Sequence, residues 1–146
     1  PKPKGVYIDG TFGGGGYSRA ILESADCTVF AIDRDPAAET RAESLKQEYP
    51  NRFHFFQGCF SDIDTLLKEH APFDGIVFDF GVSSYQLDEA ERGFSFRYDG
   101  PLDMRMSQKG LTASEVVNTY SLEDLSQIIW LYGEEPKARQ IARSIV

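Results

Sequence analysis

An α/β fold on a parallel sheet is what this chain of 146 residues predicts, and three observations carry the prediction. Four short apolar runs, Val6–Asp9, Thr28–Asp33, Phe53–Gln57 and Gly75–Phe80, alternate with helix-patterned segments, which is the signature of βαβ units. The first, second and fourth of these runs carry a carboxylate at or near their end: Asp9, Asp33 and Asp79. The first also passes directly into Gly10-Thr11-Phe12-Gly13-Gly14-Gly15-Gly16, where residues without Cβ let a backbone approach a ligand.

The elements follow in order. After the first strand, a helix starting at Tyr17 aims its free N–H groups into the crevice at the strand ends. After the second, Pro36 occupies a first helical turn and leads a helix over Ala37–Tyr49, with an apolar stripe of Ala38, Ala42 and Leu45 closed by Pro50. After the third, Ser61 and Asp64 have the spacing of a capping box with Asp in place of Glu, opening a helix through Ile63, Leu66 and Leu67 to about His70. Gly81–Gly110 is polar and aperiodic, a long loop of the kind that is usually functional. Thr112 with Glu115 forms a second capping box, and Ser121 caps a stretch whose Leu122, Leu125, Ile128 and Ile129 share a face and which Gly133 ends. A last helix over roughly Glu135–Val146 places Ala138, Ile141, Ala142 and Ile145 on one side. The sequence stops within that helix and leaves a fourth strand at a sheet edge, so a fragment of a longer protein is expected.

With 41% apolar and 13% aromatic residues the chain can bury a core. No apolar run approaches the ~20 residues of a membrane span, and Pro1-Lys2-Pro3-Lys4 lacks the hydrophobic core of a signal peptide; a soluble intracellular protein is expected. Cys27 and Cys59 lack metal-ligand spacing and read as buried free thiols. A net charge of −8 argues against indiscriminate attraction to a polyanion, so any contact with nucleic acid must be local. The candidates are Arg92, Arg97, Arg105 and Lys109 in the long loop and Lys137, Arg139 and Arg143 near the end, each weighed against an ordinary solvated charge.

Open α/β sheets bind ligands at the carboxyl ends of their strands. Asp33, about 20 residues beyond the glycines, is placed to accept both ribose hydroxyls of an adenosine; the competing reading is a helix cap before Asp35-Pro36. The dinucleotide register G-x-G-x-x-G is absent, because counting from Gly13 or Gly14 the sixth position is Ser18 or Arg19. A nicotinamide-dependent oxidoreductase is therefore disfavoured. Asp9 before the glycines would repel a pyrophosphate but suits S-adenosylmethionine: the carboxylate faces the ammonium of its amino-acid tail, and backbone N–H groups near Gly13–Tyr17 receive the tail's carboxylate. Phe60 lies where an adenine ring would pack, against the alternative of a core phenylalanine. In Asp79-Phe80-Gly81-Val82-Ser83-Ser84, Asp79 and nearby carbonyls can accept the hydrogens of an exocyclic amine and orient its lone pair toward a methyl group. Neither cysteine falls in these motif loops, which points to direct in-line transfer.

Several segments together resemble the MraW/RsmH family of ribosomal RNA small-subunit methyltransferases: Tyr7-Ile8-Asp9-Gly10-Thr11-Phe12-Gly13-x-Gly15-Gly16, Ala31-Ile32-Asp33-Arg34-Asp35, Asp79-x-Gly81-Val82-Ser83-Ser84-x-Gln86-Leu87-Asp88, Ala90-Glu91-Arg92-Gly93-Phe94-Ser95-Phe96, Asp99-Gly100-Pro101-Leu102-Asp103-Met104-Arg105-Met106 and Tyr132-Gly133-Glu134-Glu135. The resemblance implies a Rossmann-like S-adenosylmethionine-dependent core, here residues 1–110, followed at 111–146 by the start of an inserted helical substrate-recognition domain, the C-terminal strands of the core being absent. It implies methylation of N4 of a cytidine in the decoding region of small-subunit ribosomal RNA, with cofactor positions at Gly15, Gly16, Tyr17, Asp33, Phe60, Asp79 and Gln86. Tyr17 stands where the family commonly has histidine, so only a backbone contact carries over there. Arg92, Arg97 and Arg105 become candidates for phosphate contacts. The expected partner is small-subunit ribosomal RNA within an assembled subunit, with a homodimer open and the bacterial cytoplasm or an organelle as the setting. A ribosome-assembly factor that keeps the fold without transfer activity is the non-enzymatic alternative.

Overall fold

The computed structural model describes residues 1–146. They form two compact units, one of Pro1–Gln86 with Met106–Gln108 and the other of Leu87–Arg105 with Lys109–Val146.

The first unit is the α/β fold that the apolar runs predict. Strands β1 (Val6–Asp9), β2 (Thr28–Asp33), β3 (Phe53–Gln57) and β4 (Gly75–Val77) make one parallel sheet in the order β3-β2-β1-β4, the Rossmann-like order in which the chain steps outward from β1 and then crosses to its other side. Helices α1 (Gly16–Ser24) and α2 (Ala37–Glu48) make the first two crossovers. Alternation along β2 builds the core on both faces: Val29 and Ala31 join Phe12, Leu22, Ala38, Ala42, Leu45 and Phe53, while Phe30 and Ile32 join Ile8 and Leu67. β1, β2 and β3 occupy the ranges expected from sequence. β4 is shorter than the expected Gly75–Phe80, because its partner β1 ends at Asp9, opposite Val77. Beyond that pair the chain has no neighbouring strand to bond.

The third crossover differs from expectation. Residues Phe60–Asp62 coil as a 3-10 turn, α3 is the single turn Ile63–Leu66, and a second 3-10 turn covers Lys68–His70. Ser61 thus sits inside a turn instead of before a helix, and its hydroxyl bonds Asp62 Oδ1 at 3.1 Å, so no capping box with Asp64 forms. The stretch 81–110 is not a structureless loop. It holds α4 (Ser84–Asp88) and a 3-10 turn at Ala90–Arg92, and within the second unit it folds back so that the Met104 N–H donates to the carbonyl of Arg92 at 3.1 Å.

The second unit continues with α5 (Ala113–Thr119), α6 (Leu122–Gly133) and α7 (Ala138–Ile145). Both halves of the Thr112/Glu115 capping box are present, and the Ser121 hydroxyl accepts the Asp124 N–H. Glu134, not Gly133, takes the left-handed conformation that ends α6, with φ 49°. Glu135 bonds the Lys137 N–H through its side chain, which delays α7 to Ala138. α6 packs on α7, burying Leu125, Ala138 and Ala142.

Candidate cofactor site

The crossing from β1 to β4 is the topological switch point of the sheet, and the chain immediately after each strand there builds one wall of a cavity. On the β1 side is the glycine turn. Asp9 at its start is 1% exposed; it accepts the Ser18 hydroxyl at 2.7 Å and the Thr11 N–H at 3.3 Å, so one carboxylate spans the turn from strand end to α1. Burial pushes the Asp9 carboxyl above its usual range, against the pull of those hydrogen bonds. The glycines serve packing as well as ligand approach. Gly14 lies under the Tyr85 ring, where a Cβ would come within 2.7 Å of it, and Gly15 takes φ 82° with the Phe12 ring 2.8 Å from where its Cβ would be. At Gly16 the corresponding space is open. The N-cap residue Gly15 has no side chain to cap α1; the Asp9 carboxylate takes the Ser18 N–H, and the N–H groups of Gly16 and Tyr17 are left to an anion.

The end of β2 grips this turn. Asp33 Oδ2 accepts the N–H of Gly13 at 2.7 Å and Oδ1 accepts the N–H of Asp35 at 2.9 Å, which leaves about two of a carboxylate's four acceptor positions for a ligand. Arg41 on α2 donates from Nε to the carbonyl of Gly13 at 2.9 Å and lays its guanidinium over Tyr85, 4.6 Å from the ring centre. Both polar groups of the Gly13 backbone are therefore held by side chains from the β2–α2 region.

The chain after β4 is fastened at two points. The Asp79 N–H donates to Thr11 Oγ1 at 2.7 Å, joining the ends of β4 and β1, while the Asp79 carboxylate makes no hydrogen bond or ion pair of its own. Gln86, 6% exposed, accepts the Ser83 N–H through Oε1 at 3.0 Å and donates from Nε2 to Asp35 Oδ2 at 2.9 Å.

The resulting cavity has a volume of about 330 Å³, within the usual span for small-molecule sites of about 300 to 1,000 Å³. Of the residues singled out from sequence, Gly13, Asp33, Phe60, Asp79 and Gln86 line it. Asp9, Gly15, Gly16 and Tyr17 are not in its wall: Asp9 is buried, Gly15 precedes α1 and Gly16 begins it, and Tyr17 is half-exposed. Phe60 is no core residue; it meets Phe78 and Phe80 edge-on at 5.4 and 5.6 Å, and Phe60 and Phe80 give the wall an aromatic side. Cys27 is buried as expected, but Cys59 is only half-buried, because it lines the cavity, with hydrogen bonds from Ser61 drawing its thiol below the usual range. Thr11, Asp35 and Arg41 escaped the sequence reading, since nothing local distinguishes a threonine, an aspartate before proline or a helix arginine whose partner lies far along the chain.

In the second unit, the three candidate phosphate ligands separate. Arg92 is 9% exposed and donates to the Arg105 carbonyl at 3.2 Å, with Glu89 at 3.8 Å. Arg105 forks onto Asp103 at 2.7 to 3.2 Å and reaches the carbonyl of Gly110, an arrangement that lowers the Asp103 carboxyl to about 2. These two arginines brace the fold of their own segment. Arg97 is exposed.

The model of the MraW methylase family matches residues 1–146. The chain belongs to that family. It is 56% identical over 148 residues to ribosomal RNA small subunit methyltransferase H of Acidiphilium cryptum, covering 100% of this chain and 47% of that protein. The protein of the same name from Rhodospirillum rubrum is 55% identical over 148 residues, with 100% and 45% covered. The chain thus spans about half the length of the curated relatives it matches. Among solved structures, an rRNA methylase from Streptococcus thermophilus aligns with a TM-score of 0.46 at 15% identity, over 53% of this chain and 46% of that one. No helix is long and apolar enough to cross a membrane.

Proposed function

We infer that the protein to which this chain belongs is an S-adenosylmethionine-dependent methyltransferase acting on N4 of a cytidine in the decoding region of small-subunit ribosomal RNA. The observation that carries the reading is one cavity at the β1–β4 switch point into which Asp33 and a partner-free Asp79 both face. Family membership and relatives named as small-subunit ribosomal RNA methyltransferases support it.

The cavity residues fit the cofactor. Asp33 keeps acceptor positions for ribose hydroxyls, Phe60 offers a ring to the adenine, and the start of α1 presents the N–H groups of Gly16 and Tyr17 to a carboxylate, while Gly15, whose own N–H is held by the Phe12 carbonyl, lets the backbone approach. Asp9 contributes negative charge at the strand end, which suits the ammonium of the tail; Gln86 shapes the wall. When bound, S-adenosylmethionine supplies an electrophilic methyl group on a sulfonium. Asp79 would accept a hydrogen bond from the exocyclic amine, orienting N4 and freeing its lone pair for the methyl group. Asp79 or solvent would take the proton that N4 has to lose on methylation. Residues 1–110 then serve as the N-terminal part of the catalytic core and 111–146 as the beginning of a helical RNA-recognition insertion. With a net charge of −8, RNA must be met by local basic groups, and exposed Arg97 is the best placed of the three loop arginines to meet a phosphate.

The test is to incubate the full-length protein with methyl-labelled S-adenosylmethionine and small ribosomal subunits lacking the modification. Label recovered as N4-methylcytidine supports the reading. Cofactor binding without transfer would favour the non-catalytic assembly factor, and failure of S-adenosylhomocysteine to compete for the site would refute the cofactor assignment.

A further inference from the structure

We propose that Asp35 is a positioning residue for the cofactor cavity, acting through Gln86. This rests on the cofactor reading above and extends it to a residue outside the cavity wall. Asp35 is 1% exposed and absent from the lining, yet its carboxylate faces two ways. Oδ1 accepts the N–H of Ala37 at 3.1 Å, at the start of α2, and Oδ2 accepts the side-chain amide of Gln86 at 2.9 Å from a loop 51 residues away. Gln86 then uses its other end on the backbone of Ser83 at 3.0 Å, and the Ser83 hydroxyl accepts the Gln86 N–H at 3.3 Å. The result is a buried strut from the β2–α2 corner to the 83–86 turn.

Both ends of the strut carry cavity wall: Asp33 and Arg34 on one side, Val82, Ser83 and Gln86 on the other. Arg41 makes a parallel tie from the same helix, holding Gly13 and stacking on Tyr85, the residue next to Gln86. A buried polar pair is costly when half satisfied and rigidifying when complete, and no buried side-chain polar atom here lacks a partner. The strut therefore sets the width of the cavity, and the cofactor meets walls already in place.

A charge exchange tests this in the full-length protein. Gln86→Glu opposes two carboxylates; Asp35→Asn combined with it restores a donor and an acceptor in the same space, with the direction of one hydrogen bond reversed. Affinity for S-adenosylhomocysteine by calorimetry, and kcat and KM for transfer, are read on each. Q86E should weaken S-adenosylhomocysteine binding at least 30-fold, on the order expected for a buried charge left opposed, and the double variant should recover to within about fivefold of wild type. A double variant as weak as Q86E would overturn the strut, because Gln86 would then act by its own amide on the ligand. Should Q86E fail to fold, Asp35→Ala decides: the strut requires a loss of about tenfold in affinity at unchanged far-ultraviolet dichroism, and affinity within twofold of wild type would refute it. If wild-type protein itself does not bind S-adenosylhomocysteine, the cofactor reading fails, and the thermal stabilities of the same variants still report whether 35 and 86 are coupled: rescue by the exchange upholds the strut, and strictly additive losses reject it.

Discussion

Asp33 accepts the backbone N–H of Gly13 at 2.7 Å, so the carboxylate proposed to receive a ribose also holds the turn that borders the same cavity. Ligand recognition and turn geometry are thereby linked through one side chain. Asp33→Ala should weaken S-adenosylhomocysteine binding to the full-length protein by about 100-fold, or about 2.7 kcal/mol, since it removes charge-assisted acceptors from both. Asp33→Asn, which keeps one acceptor oxygen for Gly13, should lose only about tenfold. Titration calorimetry separates the two; equal losses would show that the Gly13 bond is irrelevant to binding.

Adjacent glycines should respond in opposite ways. Gly15 sits at φ 82° with Phe12 against the missing Cβ, so Gly15→Ala should cost about 1 to 3 kcal/mol of stability. Gly16, first residue of α1 with open space around it, should accept Ala within about 0.5 kcal/mol. Denaturant unfolding checks both. A weakened cofactor affinity in stable Gly16→Ala would mark the open space as ligand space.

Asp9 should destabilise the fold by being charged. Burial raises its folded-state carboxyl above the value of 3.8, so ionising it costs more in the folded protein than in the unfolded chain. The cost is absent below the unfolded-state value, grows as pH rises from there to the folded-state value, and is constant above it. Asp9→Asn should accordingly gain stability relative to wild type across that window and keep the gain at neutral pH, while losing affinity for the ammonium of the cofactor tail. Unfolding midpoints from pH 3 upward test the sign: a variant that becomes relatively weaker as pH rises would show that the hydrogen bonds from Ser18 and Thr11 outweigh burial.

Asp79 and Arg97 should divide chemistry from binding. Asp79→Ala should lower kcat by about 100-fold or more with RNA affinity within about threefold, because its contact strengthens only as the amine reacts. Arg97→Ala should do the reverse, weakening RNA binding and reducing its salt dependence by about one counterion. Filter binding across a salt series and single-turnover transfer measure the two. Equal losses of rate and RNA affinity in Asp79→Ala would contradict its assigned role.

What could be read from the sequence was what depends on neighbours. Apolar runs and glycine placement locate β1, β2 and β3 to the residue, and the spacings at Thr112 and Ser121 locate the starts of α5 and α6, because strands and caps are written within a few positions. Ser61 failed as a cap because a 3-10 turn, invisible to a spacing rule, had already taken the residues around it. β4 was overestimated because its length is set by where β1 stops. The ties that shape the cavity were hidden for the same reason: Arg41 to Gly13, Asp35 to Gln86 and Asp79 to Thr11 span 28, 51 and 68 residues, and no local pattern announces a partner so far away. Arg92 and Arg105 looked available from their charge alone, and only the fold shows where that charge is used.

The most direct measurement is nucleoside mass spectrometry of small-subunit ribosomal RNA from cells in which the full-length gene is deleted, then restored with wild-type or Asp79→Ala protein. N4-methylated cytidine should disappear on deletion, return with wild type and stay absent with Asp79→Ala. Unchanged N4-methylation in the deletion strain would contradict the account.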